Sequence, residues 1–457
     1  MSSFLPIEAL APQLALAAGV VAALLAGMLK ERPRGLLRAV AVSALLAAAL
    51  LAGASLPSAH PPLLRLDRIG LCWQELFCLG ALPLAVLMEE DEIPVALLFG
   101  SVLGMGLLAA AGSFLTLFLG LELMSLPAYL LVSRGRREEE AREAGLKYFF
   151  AGSTAGALFL LGMTLYYAAS RSLALAPASG PLAQAGLALM GAAALFKIGA
   201  VPLHFWLPDA YEAADPEVAG FLSTSMKAAG VLLLMRLAEL APSSALARVL
   251  PAFGVMTMLA GAFLALRQQR LQRLLAYSSI SHAGFMILGV GAWAAQGATG
   301  AGAAAVYYYL IAYLFMSNGA FAFLKTSGLS TRAQLRGYAQ REPRLAALLA
   351  ALLLSLGGVP PTAGFLAKLL ILWETVRCGL YGAALAGALA ALVSLGYYLA
   401  LIRDAYFEPA AGQPPPAALR RHSSGERLVL LACAIPSALL GFFPWLAGGL
   451  AGVLSGL

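Results

Sequence analysis

Five residues in this sequence have the chemistry to carry protons, and all five sit among apolar neighbours. Lys147, Lys197, Lys227 and Lys368 lie in GLKYFF, ALFKIGAV, STSMKAAGV and GFLAKLLIL, and Glu122 lies in LFLGLELMSLPAYLL. The chain has only six lysines against 24 arginines, and the arginines are nearly confined to short polar connections. A charge in hydrocarbon costs about 3 kcal/mol on insertion scales, so it is rare and usually functional. Lysine, unlike arginine, can give up its proton when desolvated. Arginine at the surface with lysine inside is the distribution expected of a protein that moves protons. Glu122 is the intramembrane acid, and Lys197 is its most natural partner; the two would then titrate as a coupled pair. An ion pair that only holds helices together is the competing explanation.

The elements that must position these groups follow from bulk properties. Apolar residues make up 61% of the chain, charged residues 12%, and mean hydropathy is +0.84. Soluble domains carry about 25% charge, so the fold class is an all-α polytopic membrane protein. Runs of about 20 apolar residues predict fourteen transmembrane helices near 8–29, 36–56, 69–88, 92–112, 113–132, 145–169, 181–205, 216–240, 245–266, 274–293, 301–324, 343–376, 381–402 and 428–455. The odd-to-even connections carry KERPRGLLR, SRGRREEEAR, RQQRLQR, Lys325 to Arg344 and Arg403 to Arg427. Those five strings hold 20 Lys and Arg, against five on the other side (Arg65, Arg68, Arg171, Arg248 and Arg377). The positive-inside rule places those loops in the cytoplasm and both termini outside. The net charge of +7 is therefore an orientation signal and not a nucleic-acid footprint. MEEDE and DAYEAADPE are acidic cytoplasmic connections, which weigh little in that rule. The N-terminus lacks a basic n-region, so no cleavable signal peptide is expected. Cys72, Cys78, Cys378 and Cys433 form no CxxC pattern and read as free apolar fillers.

Connections are too short for a soluble domain, and the Pro-rich run from Arg403 to Arg427 is a loop. The chain is thus one membrane domain, 1–457, with N-terminal helices over 1–91 and a last helix over 428–455. Between them, two interrupted spans suggest repeats. The seventh breaks at Gly199-Ala-Val-Pro202 and the twelfth at Gly357-Gly-Val-Pro-Pro361. Proline removes a backbone donor, and such breaks survive in a membrane only inside protein or along a hydrated cavity. Each has a lysine within two turns, Lys197 before one and Lys368 after the other. Five spans separate the breaks. An odd number makes the copies face opposite ways, as in inverted-repeat transporters. The expected repeats are 92–240 (TM4–8) and 245–404 (TM9–13), with TM7 and TM12 discontinuous.

Other polar groups are secondary relay candidates. His282, in the tenth span, could pass a proton through Tyr277, Ser278 and Ser281, or be a packed, hydrogen-bonded helix histidine. His204 follows the first break. Arg236 near the end of the eighth span is expected to snorkel, and Glu75 to make an interfacial or subunit contact. Tyr307, Tyr308, Tyr309 and Tyr313 read as packing or anchoring residues. Without a haem-type His pair, a cysteine cluster or a GxGxxG context, no metal, redox centre or cofactor is expected in this chain.

Six strings in order carry a family resemblance: LELMSLPAYLL, EAGLKYFFAGSTAGALFLLG, FKIGAVPLHFWLPDAYE, FLSTSMKAAG, RLLAYSSISHAGFMILG and GGVPPTAGFLAK. They resemble the antiporter-like membrane subunits of respiratory complex I, from about residue 110 to 376. The resemblance implies that Glu122, Lys197, Lys227 and Lys368 carry proton translocation, with Lys147 a weaker participant at the cytoplasmic start of its span. The M-type subunit has glutamate where this chain has Lys368, and the L-type has a long lateral helix after its last span, so the N-type is the most similar. Implied partners are the M and L types, the small K, J, A and H types, and a peripheral redox arm. NADH, FMN, Fe–S clusters and quinone are expected in those partners, and the implied location is the bacterial cytoplasmic membrane. The same fold serves Mrp-type Na⁺/H⁺ antiporters and membrane-bound hydrogenases, whose equivalent subunit is the alternative. The expected path runs from the cytoplasm to Lys197, under control of the Glu122 charge, then by Lys227 and His282 to Lys368 and the outside.

Overall fold

An apolar run in lipid has no water for its amides and carbonyls, so it closes its hydrogen bonds within a helix. The computed structural model describes residues 10–29, 33–60, 63–240, 245–298, 302–409 and 423–443. Among these, twelve helices are long and apolar enough to cross a membrane, and Ala11–Gly27 and Pro343–Gly357 are shorter apolar helices. With the second of these counted together with the half helix that follows it, each of the fourteen expected spans contains helix. The middle of the Pro-rich loop (410–422), residues 8–9 of the first span and 444–455 of the last lie outside the described residues. The chain forms two compact units: Met1–Lys197 with Ser225–Leu246, and Ile198–Thr224 with Ala247–Leu457.

The first unit begins with α1 (Ala11–Gly27) and α2 (Leu36–Ala54), followed by a two-stranded antiparallel hairpin. Its strands, β1 (Ser58–His60) and β2 (Leu64–Leu66), pair Ser58 with Leu66 and His60 with Leu64. Then come α3 (Arg68–Leu87), α4 (Glu92–Ala109), α5 (Phe114–Ser133), α6 (Glu138–Ser170) and α7 (Pro181–Ile198). α6 starts seven residues before the expected 145, because EEEAREA is a good helix former whose glutamates suit the positive helix N-terminus. Lys147 is consequently well inside a helix, in the first turn of the expected span. α7 stops at Ile198 instead of continuing to 205, ended by Gly199 at φ 80°.

The hairpin gives Arg236 a partner that hydropathy could not foresee. Asp67 N-caps α3 by accepting from Gly70 N at 2.7 Å, and its two oxygens each accept from Arg236 at 2.6 Å. Arg236 lies on α10 (Lys227–Leu240), is 2% exposed, and also reaches Glu239 at 3.3 Å. Arg65 bonds both acids, Asp67 at 3.1 Å and Glu239 at 2.8 Å. Snorkelling is thus replaced by a buried fork, for which the planar guanidinium is suited.

The second unit holds α8 (Trp206–Ala213), α9 (Pro216–Phe221), α11 (Ala245–Ala265), α12 (Leu271–Ala295) and α13 (Gly302–Ser327). Two short helices, α14 (Arg332–Leu335) and α15 (Tyr338–Arg341), precede α16 (Pro343–Gly357), α17 (Ala363–Arg377), α18 (Tyr381–Tyr406) and α19 (Ser424–Phe442). α16 and α17 are the halves of the broken twelfth span, separated at Gly358, which takes φ 84°. α13 is almost wholly buried and packs against α9, α12, α16, α17 and α19. The acidic connection DAYEAADPE is neutralised by α12: Arg273 bonds Asp209 at 2.9 Å and Glu212 at 2.8 Å, and Arg270 pairs with Glu212.

Candidate functional site

In the first unit, Lys197 occupies the last turn of α7, where a cation suits the exposed carbonyls of a helix end. It is 6% exposed and donates to Tyr129 Oη at 3.0 Å. Its ammonium also lies 5.0 Å from the Tyr129 ring centre and 5.5 Å from that of Tyr148, within cation–π range. Glu122 stands two turns before Tyr129 on α5, half-buried, and feels the Lys197 charge. Two glycines of α6, one turn apart, admit these groups. Gly152 faces the Tyr129 hydroxyl, and a methyl group on Gly156 would sit 2.6 Å from Glu122 Oε1. Glu122, Tyr129, Tyr148 and Lys197 therefore form one site built from α5, α6 and α7.

Lys227 is 1% exposed and opens α10 directly after a π turn, Leu222–Met226. The turn is rich in hydroxyls (Ser223, Thr224, Ser225), side chains that compete for backbone hydrogen bonds. Ser225 Oγ donates to Phe77 O of α3 at 3.1 Å. Single π turns within α-helices are frequent at functional sites.

In the second unit, Lys368 is 5% exposed on α17 and reaches back across the break. Its Nζ donates to Leu356 O at 2.9 Å, Gly357 O at 3.0 Å and Ser394 Oγ at 3.3 Å, with the Phe285 ring 5.7 Å away. It thereby caps the carbonyl end of α16. His282 is 2% exposed; its Nδ1 meets Tyr309 Oη at 2.7 Å and its Nε2 meets Tyr398 Oη at 3.5 Å. Tyr398 also bonds Ser278, and the Tyr313 ring lies 4.8 Å from the imidazole.

The remaining expected groups fall elsewhere. Ser278 shares a helix face with His282 at i, i+4, but Ser281 turns to Met258 O at 3.0 Å, and Tyr277 lies 5.9 Å from the Arg273 guanidinium. His204 bonds Pro202 O of its own turn at 3.3 Å. Lys147 pairs with Glu143 at 2.7 Å, its side chain 54% exposed. Glu75 is half-buried beside Gly53 of α2. Lys325, expected in a solvated connection, instead forms a buried ion pair with Glu217. Tyr129 and this pair had no signal in the sequence beyond their residue types. Among the described residues, no cluster of three or more His, Cys, Asp or Glu could hold a metal ion, and none of the four cysteines is in a disulfide.

Residues 111–394 match the family described as NADH:quinone oxidoreductase/Mrp antiporter, TM. The chain belongs to that family. The matched segment contains Glu122, Lys197, Lys227, His282 and Lys368. Within the NADH:quinone oxidoreductase/Mrp antiporter family, the chain is 38% identical over 377 residues to NADH-quinone oxidoreductase subunit N of Halorhodospira halophila, covering 78% of this chain and 76% of that protein. It is 35% identical over 413 residues to subunit N of Trichlorobacter lovleyi, covering 82% and 83%. A chain of respiratory complex I from Thermus thermophilus with bound aureothin superposes with a TM-score of 0.86 at 32% identity, covering 97% and 99%. A chain of the Mrp complex from Dietzia sp. DQ12-45-1b shares the fold, with a TM-score of 0.84 at 21% identity over 99% and 97%. The chain is thus a multi-pass helical membrane member of this family.

Proposed function

We propose that this chain is the N-type proton-translocating membrane subunit of a bacterial respiratory NADH:quinone oxidoreductase. The observation that carries the assignment is the site formed by Glu122, Tyr129, Tyr148 and Lys197, in a chain related throughout most of its length to such subunits. A buried lysine between one hydroxyl and two aromatic faces can hold a proton, and a nearby carboxylate favours its charged form. A change in the Glu122 charge or position would therefore act on the proton that Lys197 holds. Lys227 and Lys368 are the further proton carriers, with His282 and Ser278 as relays through Tyr309 and Tyr398.

The inverted repeats 92–240 and 245–404 belong to the same proposal. Each contains a helix broken at a positive-φ glycine with a buried lysine at its carbonyl end. NADH oxidation and quinone reduction in partner subunits, which would hold FMN and Fe–S clusters, would supply the energy. Those partners would be the M, L, K, J, A and H types and a peripheral arm. The location would be the cytoplasmic membrane, with both termini outside. Replacing Lys197 or Glu122 with alanine in the assembled complex should abolish or severely reduce proton pumping, measured as protons moved per electron in proteoliposomes. Normal pumping by either variant in a fully assembled complex would overturn the assignment. Ion exchange by the purified chain alone under an imposed gradient would point instead to an independent antiporter.

A further inference from the structure

We propose that Glu217 is a proton-loading carboxyl of the second unit, and that side chains ranged along α13 carry its proton towards His282. This rests on the chain being a proton-translocating subunit. Glu217 is the second residue of α9 and only 5% exposed; Lys325, in the last turn of α13, is 7% exposed. The pair is made through Glu217 Oε1. The other oxygen, Oε2, is buried without a hydrogen-bond partner among the described residues. A buried carboxylate oxygen without a protein partner is costly unless water or a proton meets it. An oxygen left open beside an ammonium is a position where a proton is accepted and passed on. The charged groups that face Glu217 are Lys325 from α13 and Asp215 at the start of its own helix.

Two arrangements give this carboxyl an approach and an outlet. The approach is the acidic connection itself, whose side chains become progressively more buried: Asp209 is 37% exposed, Glu212 12% and Glu217 3%. The outlet is one winding stripe of α13, where Tyr309, Tyr313, Ser317, Phe321 and Lys325 recur every fourth residue, so that each lies beside the next along a ridge inclined to the helix axis. From the α9 side, Ser223 Oγ meets Ser317 Oγ at 2.6 Å, and Thr224 Oγ1 accepts from Asn318 Nδ2 at 3.3 Å. Tyr313 is within hydrogen-bonding reach of Ser223, Ser317 and Ser279, and its ring lies against His282. Each hydroxyl takes a proton on one side as it releases one on the other, and His282 ends the series as the imidazolium. Phe321 interrupts the stripe between Lys325 and Ser317, which makes that step the narrow one.

The test uses the assembled complex in proteoliposomes, reading protons moved per electron and subunit content. The double variant Glu217→Gln, Lys325→Met leaves no unpaired buried charge. It should assemble fully, yet lose as much of the ratio as Lys197→Ala loses. Glu217→Asp, which keeps a carboxyl, should retain at least half of the normal ratio. A double variant that pumps at the normal ratio overturns the proposal, because the pair is then only structural. Tyr313→Phe removes one hydroxyl and keeps the ring, so it tests the stripe even where the charge-free pair fails to assemble. It should lower the ratio, and an unchanged ratio overturns the path. Normal pumping by Lys197→Ala would instead remove the translocation function on which the proposal rests.

Discussion

Removing the Asp67 carboxylate should destabilise the first unit by an amount that can be divided into parts. Asp67→Ala deletes both Arg236 contacts and the cap on Gly70 N, leaving a guanidinium 2% exposed with only Glu239, at 3.3 Å, as its remaining acid. Breaking a buried pair costs about 3–5 kcal/mol, and the residual Glu239 contact places this case near the lower end. Loss of the cap adds about 1 kcal/mol, for roughly 4 kcal/mol in all. Asp67→Asn keeps a good capping residue and should cost about 1 kcal/mol less. Thermal unfolding in lipid nanodiscs can be followed by thiol labelling, since Cys72 and Cys78 are buried thiols outside any disulfide on the helix that Asp67 caps. Acid should report the same contact. Burial pushes the Asp67 carboxyl up, but Arg236, the Gly70 amide and Arg65 together hold it below its usual 3.8. A carboxyl lowered on folding adds stability that is present above the unfolded value and lost as pH falls through the folded one. The gap between wild type and Asp67→Asn should therefore be full at neutral pH and shrink below about pH 4. Equal unfolding of Asp67→Ala and wild type at pH 7, or a gap that widens in acid, would refute the reasoning.

Other perturbations address the proton site. Tyr129→Phe keeps both ring faces around Lys197 but removes its hydrogen-bond acceptor, worth about 1.5–3 kcal/mol to a charged donor; the proton-to-electron ratio in proteoliposomes should fall without loss of assembly. Gly156→Ala puts a methyl 2.6 Å from Glu122 Oε1 and must displace the carboxylate, so pumping should drop although alanine favours the helix by about 0.5–1 kcal/mol. Lys368→Arg supplies a cation that does not release its proton; it should assemble and transfer electrons while pumping fewer protons per electron.

The helices and three of the buried lysines, Lys197, Lys227 and Lys368, were legible because a charge among leucines is conspicuous whatever the tertiary fold. The two breaks were legible for a similar reason: Gly-Pro strings end helices by local chemistry. What surrounds each lysine was not. Tyr129 and Lys197 are 68 residues apart and meet only once α5 and α7 pack. Sequence alone places Glu217 and Lys325 in polar connections and Arg236 at a snorkelling position, because hydropathy averages a window and a charge near a span end reads as exposed. Only the hairpin that carries Asp67, and the packing of α13 on α9, turn those ends inward. The π turn was also hidden, since its STSM string is compatible with an ordinary helix.

Lys368 belongs to one half of a broken helix and fastens its ammonium to the last carbonyls of the other half, at Leu356 and Gly357. Its proton is therefore part of a mechanical joint. A neutral amine has one donor fewer than an ammonium, so losing the proton removes a tether between α16 and α17. Flexing the two halves apart in turn strips acceptors from the charged form. Hinge angle and proton occupancy are then linked, so that whatever bends the joint shifts the proton and whatever moves the proton shifts the bend.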